Sequence, residues 1–74
     1  MLNAEKVIGT INQTLNLSLD PATTPQLESL QALGIDSLDF YSVLAELESM
    51  TGRNVPDEDI ENLKTIQNLV NYFS

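Results

Sequence analysis

The chain has 74 residues, 42% of them hydrophobic, with three basic against eleven acidic residues and a net charge of −8. One small domain with a thin aliphatic core is the expectation, and so strong an acidic excess argues against nucleic-acid binding and against anionic membrane surfaces. With no cysteine and no histidine, disulfides, thiol nucleophiles, zinc sites of the usual ligands and Ser-His-Asp chemistry are excluded.

The first helix is predicted from about Asn3, a suitable cap, to Asn16. Val7, Ile8, Ile11 and Leu15 share one face at helical spacing. Gly9 lies inside it at a cost of roughly 1 kcal/mol relative to alanine, and offers room for a neighbouring helix. A long connection follows from Leu17 to Ile35, punctuated by Asp20-Pro21 and Thr24-Pro25. Leu27, Leu30 and Leu33 recur every third residue. The expectation is an ordered crossover with these leucines as its anchors on a bundle.

The second helix is predicted from Ser37 to about Thr51. Gly52 follows its end, and Arg53 suits the negative pole there. Phe40, Val43, Leu44, Leu47 and Thr51 form its core stripe. Leu38, Tyr41 and Ala45 form a second stripe, and Asp39, Ser42, Glu46 and Ser49 occupy the remaining face. Pro56 then precedes a short helix with Asp57 as cap and Ile60 and Leu63 as buried residues. Thr65 caps a last helix in which Ile66, Leu69, Val70 and Phe73 fall at i, i+3, i+4 and i+7. The fold class is all-α: a small four-helix bundle, three longer helices and one short, with a long first connection. No apolar run approaches the roughly 18 residues of a membrane span, and no signal pattern opens the chain. A cytoplasmic protein, free-standing because it begins with Met1, is the expectation.

The stretch Leu33-Gly34-Ile35-Asp36-Ser37-Leu38-Asp39 carries the candidate site. Gly34 permits a sharp change of direction. Asp36 can cap the second helix, with Asp39 reaching back as in a capping box. Ser37 then stands at the first helical position, where free N–H groups and the helix dipole favour a negative charge. Taken alone, a serine there is an ordinary helix-start residue.

Leu-Gly-x-Asp-Ser-Leu resembles the prosthetic-group attachment motif of acyl carrier proteins. Val55-Pro56-Asp57-Glu58-Asp59 resembles the start of that family's short third helix, and Lys64-Thr65-Ile66-Gln67-Asn68-Leu69-Val70 the start of its last. The resemblance spans nearly the whole chain and is weakest before Leu27. It implies 4′-phosphopantetheine on Ser37, added by an external phosphopantetheinyl transferase that supplies the catalytic groups. The arm's thiol then carries acyl groups as thioesters between enzymes of fatty-acid, polyketide or specialised lipid synthesis, and the chain itself is not an enzyme. The resemblance also implies that Asp36 and Leu38 belong to the attachment site. It places a partner-docking surface at Asp39, Tyr41, Ala45, Glu46 and Glu48, complementary to basic surfaces on acyl-transferring or synthase enzymes. The partner is another protein, with no nucleic acid or membrane, and the chain itself is expected to be a monomer.

Three departures from fatty-acid members stand out. Ala32 takes the place of an acidic residue, Ser42 and Ser49 replace acid along the second helix, and Phe40 and Tyr41 are bulkier than usual. Phe40 faces the region where an acyl chain would enter. These differences leave a specialised carrier as open as a housekeeping one. Three rival readings remain. One is an acidic helical interaction module without a prosthetic group, phosphorylated at Ser37. A calcium loop from Asp20 to Gln31 lacks the central glycine and closing glutamate. A hydrolase would need a deeper pocket than 74 residues offer.

Overall fold

The computed structural model describes residues 2–74; Met1 lies outside the described residues. Four helices follow in chain order: α1 (Ala4–Leu15), α2 (Ser37–Thr51), α3 (Asp57–Ile60) and α4 (Ile66–Phe73), with a 3₁₀ turn at Gln31–Leu33 in the long connection. No strand ladder forms among the described residues; one isolated bridge joins Ser29 to Thr65. The all-α bundle of three longer helices and one short is thus the architecture.

Caps set the helix boundaries. Asn3 Oδ1 accepts from the Lys6 N–H at 2.9 Å at the start of α1. Asn16 closes that helix in the left-handed region at φ 56°, a conformation asparagine tolerates better than most side chains. Asp36 caps α2, and Gly52 ends it at φ 72°, with its N–H on the Glu48 carbonyl. At α4 the Thr65 side chain accepts from the Asn68 N–H while Asn68 Oδ1 accepts from the Thr65 N–H, a reciprocal box. At α3 the cap position is taken by Pro56, not Asp57. Pro56 is extended, its carbonyl accepts from the Asp59 and Ile60 N–H groups, and Asp57 becomes the first helical residue. There its charge still suits the positive pole.

The core is aliphatic. Val7, Ile8, Ile11, Val43, Leu47, Ile66 and Leu69 are fully enclosed, and α1 packs against both α2 and α4. Gly9 is exposed, and a Cβ there would meet nothing within 4 Å, so it provides no close helix approach. Phe40 and Thr51, assigned to the core stripe of α2, are only half-buried, because that stripe sinks fully only at Val43, Leu44 and Leu47. Leu63 is buried, whereas Ile60 is half-buried. Arg53 serves the negative pole of a different helix: its Nη1 donates to the Tyr72 carbonyl near the end of α4 at 3.1 Å.

The long connection is ordered by polar bonds more than by its leucines. Asn12 clamps its start, with Nδ2 donating to the Leu19 carbonyl (2.9 Å) and Oδ1 accepting from the Leu19 N–H (2.8 Å). Further on, the Gln67 N–H donates to the Gln26 carbonyl and the Leu30 N–H to the Lys64 carbonyl. One orphan donor of the first turn of α4 is thereby satisfied by the crossover itself. Leu30 is buried and Leu33 half-buried, but Leu27 is 81% exposed and anchors nothing. The main-chain bond at Gln26 holds the loop there without it.

Candidate functional site

The mouth of α2 is built by a short sequence of main-chain events. The Leu30 carbonyl accepts from both the Leu33 N–H (3.1 Å) and the Ile35 N–H (3.0 Å), folding the 3₁₀ turn back on itself. Ser29 Oγ caps that turn by accepting from the Ala32 N–H. Gly34 makes the reversal at φ 89°, where a side chain would be strained although the space beyond it is open. Ile35 is then buried as a plug, and the chain enters α2 with Asp36 and Ser37 both exposed.

Asp36 Oδ1 accepts from the Asp39 N–H at 2.9 Å, and its carbonyl accepts from the Phe40 N–H at 2.8 Å. Only half of the expected capping box forms: no Asp36 N–H bond to the Asp39 carboxylate is present among the described residues. Two carboxylates folded together would repel, which removes the reciprocal bond available to Thr65 and Asn68 at α4. The Ser37 and Leu38 N–H groups precede the first intrahelical bond and face the opening. This positive helix end beside an exposed hydroxyl suits a phosphodiester on that oxygen.

A cleft of about 650 Å³ opens directly beside Ser37. Leu30, Ile35 and Leu63 form its apolar depth, Phe40, Tyr41 and Ile60 its sides, and Ser29, Gln31, Glu61 and Lys64 its polar rim. Phe40 therefore lines the cavity next to the serine, with its ring 5.9 Å from that of Tyr41. Sequence reading missed the rim, because Ser29 and Gln31 come from the crossover and Lys64 from the segment before α4. Only the every-third-residue placement of Leu30 hinted that the crossover returns here.

The residues of the expected docking surface are disposed along α2. Leu38 is 79% and Tyr41 54% exposed; Ala45 and Glu46 are exposed and Asp39 is half-buried. Glu48 is held differently. It is half-buried, and its Oε2 accepts from the Val55 N–H at 2.8 Å, tying α2 to the segment before α3. Nearby, the Tyr72 hydroxyl donates to Asp59 Oδ2 at 3.0 Å, joining α3 to α4. Loss of water around the phenol, then the bond to Asp59 and that residue's charge, raise its pKa above the ordinary 10.0.

Among the described residues no helix is long and apolar enough to cross a membrane. Comparison with known proteins bears on the chemistry of the exposed serine. The family described as the phosphopantetheine attachment site matches residues 5–73. An acyl carrier protein of Thermosynechococcus vestitus is 36% identical over 59 residues, 78% of this chain and 73% of its own length. Those of Myxococcus xanthus and Micrococcus luteus are each 29% identical over 76 residues, covering 99% of this chain and 96% and 94% of theirs. No solved structure matches the chain. The chain belongs to the phosphopantetheine-attachment family of acyl carrier proteins, which hold 4′-phosphopantetheine covalently and carry acyl groups rather than catalysing their reactions.

Proposed function

We propose that Ser37 is the attachment residue and that the chain shuttles acyl groups between enzymes of fatty-acid, polyketide or specialised lipid synthesis. The observation that carries this reading is the exposed Ser37 at the opening of α2, with the cleft beside it. The prosthetic group supplies a terminal thiol, a functional group the chain itself lacks. Ser37 needs only to be reachable. Its oxygen displaces 3′,5′-ADP from coenzyme A, forming one phosphodiester, and the hydroxyl proton passes to a base of the phosphopantetheinyl transferase. Asp36 holds the helix mouth in shape and offers the transferase and its metal a carboxylate; Leu38 flanks the serine on the exposed side.

The docking surface in this reading combines the exposed apolar Leu38, Tyr41 and Ala45 with Asp39, Glu46 and Glu48. Its acid favours encounter with the basic surfaces of the transferase and of acyl-transferring or synthase enzymes. A net charge of −8 opposes self-association and supports a monomer. The test is intact mass after incubation with coenzyme A and a broad-specificity transferase. The wild type should gain one phosphopantetheine and Ser37→Ala none; a modified Ser37→Ala protein, or an unmodified wild type, would overturn the assignment.

A further inference from the structure

Lys64 is one of only three basic residues in the chain, and it lines the same cleft as Ser37. Its position relative to the helix mouth is fixed by two consecutive main-chain bonds. The Lys64 carbonyl accepts from the Leu30 N–H at 2.8 Å, and the Leu30 carbonyl accepts from the Ile35 N–H at 3.0 Å, two residues before Ser37. A third bond, from the Lys64 N–H to Asn68 Oδ1 at 3.0 Å, ties the same residue to the cap of α4. The bonds Lys64 makes to the described residues all come from its main chain, and its side chain is exposed at the rim.

The surroundings make that one cation consequential. Asp36 and Glu61 line the cleft with it, and Asp39 stands two residues beyond the serine in the first turn of α2. An anion tethered at Ser37 therefore enters a field set by three carboxylates. The first-turn N–H groups of α2 offset part of that field, and among the described residues Lys64 is the one full positive charge on the cleft wall.

Building on the assignment of Ser37 as the attachment point, we propose that Lys64 is the anion-pairing group of this cleft, holding a negative group delivered by the arm against the wall. That group is either the arm's phosphodiester or a carboxylate at the far end of the cargo. Lys64 is a positioning residue in either case: it restrains the arm and forms no bond to the reacting atoms.

The experiment compares wild type, Lys64→Gln, Lys64→Arg and Lys6→Gln, each unloaded and loaded from coenzyme A, acetyl-coenzyme A or succinyl-coenzyme A, with loading verified by intact mass. The readouts are the melting temperature at low and at about 0.5 M salt and the phosphorus NMR shift of the loaded form. Loading should favour the wild type and Lys64→Arg over Lys64→Gln by about 2–4 °C at low salt, and the difference should shrink at high salt. Lys6→Gln, which removes the same charge from α1, should track the wild type. A difference already present in the thiol form, with a shifted phosphorus signal, identifies the phosphodiester as the partner; one confined to the succinyl form identifies the cargo carboxylate. Fully loaded Lys64→Gln that behaves as wild type, or Lys6→Gln with the same deficit, overturns the inference alone. Wild type that does not load at all overturns the attachment reading and this inference with it.

Discussion

The carboxylate of Glu48 reaches seven residues ahead to the Val55 N–H at 2.8 Å, and this bond sets the exit from α2. Val55 is buried, so its N–H is costly to leave without a partner. A hydrogen bond to a charged group contributes roughly 1.5–3 kcal/mol. Glu48 is half-buried, and removing one negative charge from an acidic chain relieves some repulsion, which places Glu48→Ala near the lower end, a loss of about 1.5 kcal/mol. In a domain of this size that corresponds to a fall of about 6–12 °C in melting temperature. Glu48→Gln keeps an acceptor oxygen and should lose no more than about 0.5 kcal/mol. Glu46→Ala, on the same helix and exposed, should stay within about 0.5 kcal/mol of wild type. Thermal melts by circular dichroism in one buffer decide the matter. If Glu48→Ala melts with Glu46→Ala, or if Glu48→Gln falls as far as Glu48→Ala, the bond to Val55 is not what Glu48 contributes. Charge reversal at Glu48 would also mix unfolding with lost docking, so docking is better tested at Glu46.

Asn12→Ala removes both bonds to Leu19; at about 1 kcal/mol each the loss is about 2 kcal/mol, or about 8–15 °C in melting temperature, and an unchanged melt would show that the crossover does not depend on this clamp. The melting temperature should rise by several degrees from low salt to about 0.5 M, since salt screens the self-repulsion of the −8 chain; a flat salt dependence would contradict that. The raised pKa of Tyr72 means the folded state favours the protonated phenol. Its contribution is therefore complete below the unfolded value of 10.0 and lost as pH rises through the higher folded value. Melts between about pH 8 and about pH 11 should fall more steeply for wild type than for Tyr72→Phe, and parallel curves would contradict the raised pKa of the phenol.

The helices were legible in the sequence because their ends carry local chemistry: Asn3, Asp36, Thr65 and Gly52 each occupy the cap position their side chain or backbone suits. Leu69 and Phe73 sink into the core as their spacing requires. The crossover was not legible in the same way. Whether Leu27 or Leu30 turns inward depends on where α4 presents its free N–H and the Lys64 carbonyl, and those partners lie more than thirty residues away in sequence. Half-burial of Phe40 has the same origin, since the cleft it lines needs walls from the crossover and from Ile60 and Leu63. The serine and its cap were visible in six consecutive residues; Lys64 and the rest of the rim became visible only through the fold.

The central claim is that Ser37, and no other serine, accepts the prosthetic group. Ser29 lines the same cleft and Ser42 lies exposed further along α2, so total mass alone does not separate them. Cleavage on the N-terminal side of aspartate frees Asp36-Ser37-Leu38, a peptide with a single serine. After loading from coenzyme A, this peptide should carry the whole added mass, with the peptides bearing Ser29 and Ser42 unmodified. Added mass on either of those, with Asp36-Ser37-Leu38 unchanged, would contradict the account.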